Sequence, residues 1–327
     1  MNRPLLSICM PTYNRRDIFV KSYLEIIKQI SEVNDCQIEY NISVNPSGDG
    51  TEIFLERRNE SFVYYEVNAE NIGADRNIKK AFNMAKGKYV WLIGDDDVLI
   101  DGTIKRVISI LKKQDDIAWI IMNYGFRNKR GELTPRFVID KRYEGYKNNG
   151  KVAILETAMY MEDAILFTSS NIFLNSVIKE VNNLVEDRLI SMLYTYRAAL
   201  QGSAYLIREP LIDQGMIISW KDEGYEINVR KFNESLLKLE KIGYTKQEVK
   251  KLIRYRMTHQ ALYIWFRILK KIFRDPKVAI KDYIWYFKLM PDITILVTLG
   301  LPFIAIFLIF RHQYRNLKRK KAIYERN

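Results

Sequence analysis

Three consecutive carboxylates follow an apolar run in this chain. Residues 89–92 read Tyr-Val-Trp-Leu, and Asp95, Asp96 and Asp97 come after Gly94. The run is short, aromatic and β-branched, and glycines bound it, which is typical of a buried strand. Adjacent carboxylates resist joint burial, so such a cluster needs water or a bound cation to neutralise it. Oxygen ligands of this kind suit Mg²⁺ or Mn²⁺.

Side chains alternate along an extended chain, so Asp95 and Asp97 would point to one side and Asp96 to the other. We therefore expect Asp95 and Asp97 to share a metal ion. For an isolated run of three aspartates, a solvated acidic turn is the simpler interpretation. The polar loops elsewhere in the chain favour the metal site.

Polar loops follow three other apolar runs that have the composition of strands. The runs are residues 5–10, 38–44 and 62–67, and the loops are 11–14, 45–51 and 71–77. Strands alternating with helices predict an α/β fold, with a mostly parallel sheet covered on both faces. Ligands of such sheets bind at the carboxyl ends of the strands, so these loops should meet the acidic cluster on one rim. The candidate ligand-binding residues are Pro11, Thr12, Tyr13, Asn14, Asn45, Asp49, Asn71, Gly73, Asn77, Asp95 and Asp96.

Composition narrows the possible functions. The chain has 327 residues, a formal net charge of +13, two cysteines and two histidines. This size suits two domains, and the few histidines and cysteines argue against a zinc site or a catalytic histidine. No G-x-x-x-x-G-K-[ST] or G-x-G-x-x-G motif occurs, which argues against a P-loop ATPase and a dinucleotide-binding protein. The function class that remains is the transfer of a group from a nucleotide, in which a metal ion would neutralise the departing diphosphate.

The excess positive charge lies in the C-terminal part. Residues 230–290 predict basic amphipathic helices, and 293–310 contain no charged residue. That length reaches the lower limit for spanning a bilayer, but Gly300 and Pro302 interrupt it and both flanks are basic. We predict a re-entrant or in-plane anchor, with a long core helix as the alternative. An anionic membrane surface then explains the charge, and no nucleic acid is needed.

The order and spacing of the motifs resemble the inverting GT-A glycosyltransferases of family 2, in particular the abequosyltransferase-like branch of capsule and O-antigen synthesis. The resemblance implies a Rossmann-like GT-A fold and a nucleotide-sugar donor, with Mg²⁺ or Mn²⁺ held on its diphosphate by the acidic cluster. It also implies that Thr12, Tyr13 and Asn77 lie near the nucleotide. Where family members usually carry an acidic residue that contacts the base, this chain has Val44. The matching motifs are residues 11–15 (PTYNR), 47–51 (SGDGT), 71–73 (NIG) with Asn77, and 85–97 (AKGKYVWLIGDDD).

The resemblance also suggests a catalytic base. Inverting transfer needs a group that deprotonates the acceptor hydroxyl, and family members often use the aspartate of a Glu-Asp pair at a helix start. Asp187 fits this pattern, although helix capping is an alternative role and Asp163 is a competing candidate. Candidate acceptor-binding residues are Ser169, Ser170, Asn171 and Trp220, and a core position is the alternative for the tryptophan.

We therefore predict a catalytic domain in residues 1–229, basic helices in 230–290, and an anchor with a basic tail in 291–327. The predicted activity is metal-dependent inverting transfer of a sugar to a lipid-linked or cell-envelope polysaccharide acceptor. No signal peptide is evident, so we expect the cytoplasmic face of a bacterial cell membrane. The alternatives are a nucleotidyl- or phosphotransferase with the same metal site, and a non-catalytic assembly subunit on the membrane.

Overall fold

The computed structural model describes residues 3–33, 38–127, 132–136, 138–161, 165–187, 189–215, 224–295 and 298. The chain divides into two compact units. The first comprises residues 1–221 and 237–245, and the second comprises 222–236 and 246–327. This division differs from the predicted boundary after residue 229. The assignment of a catalytic domain, a basic helical region and an anchor to those ranges stays a prediction.

A central sheet of ten described strands organises the first unit. Its order is β3-β2-β1-β4-β9-β6-β10-β5, with β7 on β6 and β8 on β10. The strands are β1 (Leu6–Thr12), β2 (Ile38–Val44), β3 (Val63–Val67), β4 (Tyr89–Leu92), β5 (Val98–Leu99), β6 (Ile117–Arg127), β7 (Leu133–Arg136), β8 (Gly145–Lys147), β9 (Asn171–Leu174) and β10 (Ser203–Gln214).

The prediction of a mostly parallel sheet is wrong, because the sheet is mixed. Strands β3, β2, β1 and β4 run parallel, as do β6 and β10. Strand β9 lies antiparallel between β4 and β6, and β5, β7 and β8 also pair antiparallel. The parallel part comes from the strand–helix alternation in the first half of the chain. Among the later strands, the short connection between β6 and β7 makes an antiparallel hairpin, and the long connections allow either direction.

Helices cover both faces of the sheet, as predicted. On one face, α1 (Arg16–Glu32) and α4 (Thr103–Lys113) bury Phe19, Tyr23, Ile104 and Val107 in the main apolar core. On the other face, Phe82, Phe173 and Tyr194 form an aromatic cluster. The other helices of the unit are α2 (Thr51–Glu56), α3 (Ala74–Asn83), α5 (Gly150–Tyr160), α6 (Ser176–Leu184) and α7 (Ile190–Ala199).

Strand β1 continues through Pro11, where the sequence predicted that it would end. The Cys9 carbonyl oxygen accepts from Ile93 on the β4 side, and Thr12 O accepts from Asn45 on the β2 side. The backbone N–H and C=O groups of successive strand residues point alternately to the two neighbouring strands, so those of position 11 point toward β4. The pairing of β1 with β4 ends at Cys9 and Leu92. The missing N–H of Pro11 therefore removes no hydrogen bond of this pairing.

Strand β9 follows a polar segment. Thr168–Ser170 forms a tight helical turn, and β9 begins at Asn171. Strand β10 is long, with register shifts near Pro210. Strands β6 and β7 form a hairpin, in which Leu133 pairs with Arg127.

The second unit is helical. Its helices are Gly224–Glu226, Ile227–Lys231 and Phe232–Leu237 in one stretch, then α8 (Lys246–His259), α9 (Ala261–Ile272) and α10 (Pro276–Leu289). Trp265, Tyr286, Val249 and Met257 are buried within it. No helix among the described residues is long and apolar enough to cross a membrane. The predicted anchor, 293–310, lies outside the described residues except for 293–295 and 298.

Candidate functional site

Four asparagines tie the loops of the rim together. The Asn45 side chain donates to Asn71 Oδ1 at 2.9 Å and accepts from Asn68 Nδ2 at 2.9 Å. Asn71 Oδ1 also accepts from the Gly73 N–H. Residue Gly73, at the start of α3, has φ 81 and ψ 163, a conformation that only glycine adopts readily. The loops after β2 and β3 therefore meet on one rim, as the sequence predicted.

Asn77 lies beneath this rim and is 2% exposed. Its Nδ2 donates to the carbonyl oxygens of Thr12 and Ser43, and its Oδ1 accepts from Ser43 Oγ and Asn68 Nδ2. An amide has two donors and two acceptor lone pairs, so the protein uses all four. This arrangement makes Asn77 a residue that positions the loops, and its contact with a nucleotide stays a prediction.

Asp49 has a similar local role. Its carboxylate accepts from the backbone N–H groups of Thr51 and Arg16, which begin α2 and α1. Partial burial raises the pKa of Asp49, but these hydrogen bonds outweigh it and leave the pKa below its usual value. The loop after β2 is thus fixed to the start of α1, beside the exposed Tyr13 and the left-handed Asn14 (φ 53).

The acidic cluster lies on a tight turn, so the expectation of an extended chain is wrong. The Asp97 N–H donates to Gly94 O at 3.1 Å. Asp95 and Asp97 are nevertheless both buried, each 5% exposed, whereas Asp96 is more accessible. The turn follows β4 at the same edge as Thr12, whose hydroxyl donates to Asp95 Oδ2 at 2.9 Å.

Within the part of the chain that the structure describes, Arg15 supplies the cation that pairs with the cluster. Its Nη1 lies 2.9 Å from Asp95 Oδ1 and 3.9 Å from Asp96 Oδ1. Burial raises the pKa of Asp95, although the Arg15 charge and the Thr12 hydroxyl act in the opposite direction. Arg15 therefore compensates one of the three negative charges.

Asp97 is held by two other parts of the fold. Its Oδ2 accepts from Ser169 Oγ at 2.5 Å, and its Oδ1 accepts from the Gly215 N–H at 2.9 Å. Burial raises the pKa of Asp97 to about 7, and the neighbouring charges of Asp96 and Asp95 add to the rise. When no cation is bound, keeping the Asp97 carboxylate ionised in the folded protein therefore costs free energy.

Gly215 approaches the cluster more closely than any other residue type could. A Cβ atom at this position would lie 2.4 Å from Asp96 Oδ2 and 2.5 Å from Asp96 O. The backbone oxygen of Asp96 cannot move aside cheaply, so the close approach explains the glycine. Gly215 carries no signal of this role in the sequence, because its partner is more than a hundred residues away.

The charge of this site fits a divalent cation. Among the described residues, Asp95 and Asp96 pair with one guanidinium, that of Arg15, so within this part of the chain the ionised cluster of Asp95, Asp96 and Asp97 retains an excess of two negative charges. The described residues form no hydrogen bond to the Asp96 carboxylate, whereas Asp95 and Asp97 each use both oxygens within the fold. Within the described ranges, no group of three or more His, Cys, Asp or Glu side chains has the arrangement of a metal site. The assignment of Asp95 and Asp97 as ligands stays a prediction.

Three predicted acceptor residues are buried, and the first, Ser169, is 2% exposed and contacts Asp97. Asn171 is 3% exposed, donates to the carbonyl oxygens of Ile165 and Phe167, and accepts from Trp119 Nε1. Ser170 is fully buried. Their contact with an acceptor stays a prediction, as does that of Trp220, which lies outside the described residues.

Asp187 lies just before α7, and its carboxylate contacts a backbone N–H and a lysine. Its Oδ1 accepts from the Leu189 N–H at 2.6 Å, and its Oδ2 lies 2.7 Å from Lys238 Nζ. The side chain is 5% exposed. Its role as a base stays a prediction, and the competing Asp163 lies outside the described residues.

Sequence reasoning missed Arg15, Asn68 and Gly215 as site residues. Arg15 stands inside the first loop motif, and as a cation near the acidic cluster it could have been found. Asn68 and Gly215 carry no local signal, because their roles depend on partners in other loops.

The rim lies in a part of the chain that matches a known protein family. A family model described as Glycosyl transferase family 2 matches residues 7–167, which include the four rim loops. This part of the chain belongs to glycosyl transferase family 2. The resemblance predicted from the motifs is therefore confirmed. Asp187 lies beyond the matched residues.

Two curated relatives align with part of this chain. Abequosyltransferase RfbV of Salmonella typhimurium is 37% identical over 116 residues, 35% of this chain and 34% of the relative. The GalNAc(5)-diNAcBac-PP-undecaprenol beta-1,3-glucosyltransferase of Campylobacter jejuni is 26% identical over 137 residues, 41% and 42% of the two chains. The chain thus spans about a third to two fifths of the length of these relatives.

Solved structures share the fold. S. aureus TarS 1-349 in complex with UDP has a TM-score of 0.56 at 16% identity, covering 79% of this chain and 72% of that one. Mannosyltransferase PcManGT from Pyrobaculum calidifontis, in complex with GDP-Man and Mn²⁺, has a TM-score of 0.51 at 13% identity, covering 92% and 81%. At these identities the likeness shows the fold alone, a mixed α/β fold of GT-A type.

Proposed function

We propose that this protein is a glycosyltransferase that moves a sugar from a nucleotide-diphosphate donor to a glycan acceptor. The observation that carries the proposal is the acidic turn after β4, placed on the same rim as the loops after β1, β2 and β3. The family 2 match over this rim supports it. The UDP and GDP-Man complexes of the structural neighbours support the donor class.

Asp95, Asp96 and Asp97 would hold a Mg²⁺ or Mn²⁺ ion with the donor. The excess negative charge of the cluster and the Mn²⁺ complex of a structural neighbour support this. When bound, the ion neutralises the diphosphate and stabilises it as a leaving group. Arg15 limits the charge that the cluster presents, and the buried partners of Asp95 and Asp97 keep those side chains in place.

Inversion at the anomeric carbon requires a base on the acceptor side, and we assign this role to Asp187. Its Oδ2, which lies 2.7 Å from Lys238 Nζ, would accept the acceptor's hydroxyl proton. The hydrogen bond from the Leu189 N–H orients the carboxylate. Order along the chain and the Glu-Asp context support this assignment.

The acceptor is a lipid-linked or cell-envelope glycan, and the protein works on the cytoplasmic face of a bacterial membrane. An exposed face of α10 supports this: Ile280, Ile284 and Phe287 are 56%, 47% and 43% exposed. Exposed lysines flank this stripe, and the acidic residue of α10, Asp282, is buried. Such a face is suited to an anionic lipid surface. The Campylobacter jejuni relative, whose name includes an undecaprenol-linked acceptor, also supports it. The lysines of the stripe are Lys277, Lys281 and Lys288.

Binding of the protein to lipid vesicles tests the proposal that α10 contacts a membrane. A basic residue near an anionic surface contributes about 1 kcal/mol, so changing the three stripe lysines to Gln should weaken binding to anionic vesicles by about 100-fold. The matched control changes Lys246, Lys250 and Lys251 on α8 to Gln and should leave binding nearly unchanged. Equal binding of both variants in a sedimentation assay would count against this surface.

Calorimetry with a panel of nucleotide sugars, with and without Mn²⁺, tests the donor proposal. We expect one nucleotide sugar to bind, and binding to weaken by at least tenfold when the metal is removed. Protein that binds no member of the panel in the presence of metal would refute the proposed donor class.

A further inference from the structure

Ser169 connects the acidic turn to the segment before β9. Its Oγ accepts from the Gly94 N–H at 3.0 Å and donates to Asp97 Oδ2 at 2.5 Å. Its carbonyl oxygen accepts from Trp91 Nε1 at 2.7 Å. The residue is 2% exposed. Ser169 therefore contacts the strand before the turn, the first residue of the turn and its last carboxylate.

Two other residues also hold Asp97 in place, in addition to Ser169. Gly215 N–H donates to its other carboxylate oxygen, and Ser22 Oγ donates to its backbone oxygen at 2.6 Å. Each carboxylate oxygen has two lone pairs, so one lone pair of each oxygen is used within the protein and another remains. The side chain cannot rotate without breaking two buried hydrogen bonds.

We propose that Ser169 is the positioning residue of the cation site: it fixes Asp97 in the rotamer that a divalent cation and the donor diphosphate require. This inference rests on the proposed function. Residues that hydrogen-bond a metal ligand typically change metal affinity by 10–100-fold when removed. The loss should therefore appear in cation affinity and in the KM for the donor, with a smaller effect on folding.

The adjacent residue provides a matched control. Ser170 is fully buried, and the described residues form no hydrogen bond to its Oγ. Ser170→Ala thus removes the same atom at the same depth, without touching the acidic turn. A general effect of removing a buried hydroxyl in this segment would appear in both variants.

The experiment measures Mn²⁺ affinity of the full chain by the electron paramagnetic resonance of free Mn²⁺, alone and with a nucleoside diphosphate. We expect Ser169→Ala to weaken Mn²⁺ binding by at least tenfold, and Ser170→Ala to change it by less than about twofold. Ser169→Thr keeps the hydroxyl and should remain within about threefold of the wild type. Should Ser169→Ala not fold, Ser169→Cys replaces it under the same tenfold criterion, because a thiol is a weaker donor.

Unchanged affinity in Ser169→Ala, equal losses in both alanine variants, or no Mn²⁺ binding by the wild type would overturn the inference. The failure of the proposed function is a separate result. A wild type that binds Mn²⁺ through a Ser169-dependent site, yet releases no nucleoside diphosphate from any nucleotide sugar, would refute the transferase and leave the role of Ser169 intact.

Discussion

Replacing Asp97 by Asn should stabilise the metal-free protein at alkaline pH. Burial raises the pKa of Asp97 from 3.8 to about 7. Between these values the folded state holds a proton that the unfolded state has released, so stability falls as pH rises through the window. A difference of about 3 pKa units corresponds to roughly 4 kcal/mol, all of it lost above pH 7. Asn carries no charge and keeps an oxygen for the Gly215 N–H.

Urea unfolding in the presence of a chelator measures this effect. Between pH 5 and 8 the wild type should lose stability with a slope of up to about 1.4 kcal/mol per pH unit, and Asp97→Asn should show little slope. At pH 8 the variant should be more stable by up to roughly 4 kcal/mol. Asp101→Asn is the control, because Lys28 lowers the pKa of that exposed carboxylate out of the window. A variant that is less stable than the wild type at pH 8 and has the same slope would refute the reasoning.

Three further substitutions test other parts of the site. Gly215→Ala should reduce release of nucleoside diphosphate by at least tenfold, because its methyl group would displace Asp96; an unchanged rate would contradict the close approach. Asn77→Ala should cost about 2–4 kcal/mol in urea unfolding, because it leaves several buried partners unsatisfied, while the exposed Asn83→Ala on the same helix should cost less than about 1 kcal/mol. Asp187→Asn should keep the fold and lower kcat for transfer by about 10²–10⁴-fold with little change in donor KM; full activity would exclude it as the base.

Much of the rim could be predicted because its motifs are local. Thr12 ends strand β1, and the loops containing Asn45, Gly73 and Asp95 each follow a strand with a clear apolar pattern. The parallel arrangement of the first four strands brings these residues to one edge. The turn at Asp97 could not be predicted. Its geometry is set by the Gly94 carbonyl oxygen together with distant partners, which have no signal near the cluster in sequence.

The second half of the sheet was harder to predict from the sequence for a related reason. Strand β9 is inserted antiparallel between β4 and β6, and periodicity says nothing about strand direction. The polar residues before it were predicted to bind the acceptor. They form a turn in which Ser169 is buried against Asp97. A polar side chain that satisfies a buried carboxylate has the same sequence signature as one that meets solvent.

The products released from the donor test the central claim most directly. Purified protein with Mn²⁺ and a panel of nucleotide sugars should release nucleoside diphosphate, and a lipid-linked acceptor should accelerate the release. Asp95→Ala should lower the rate by at least 100-fold while the protein remains folded. Release of pyrophosphate would indicate a nucleotidyltransferase instead. A folded Asp95→Ala variant with the wild-type rate would contradict the account of the acidic turn.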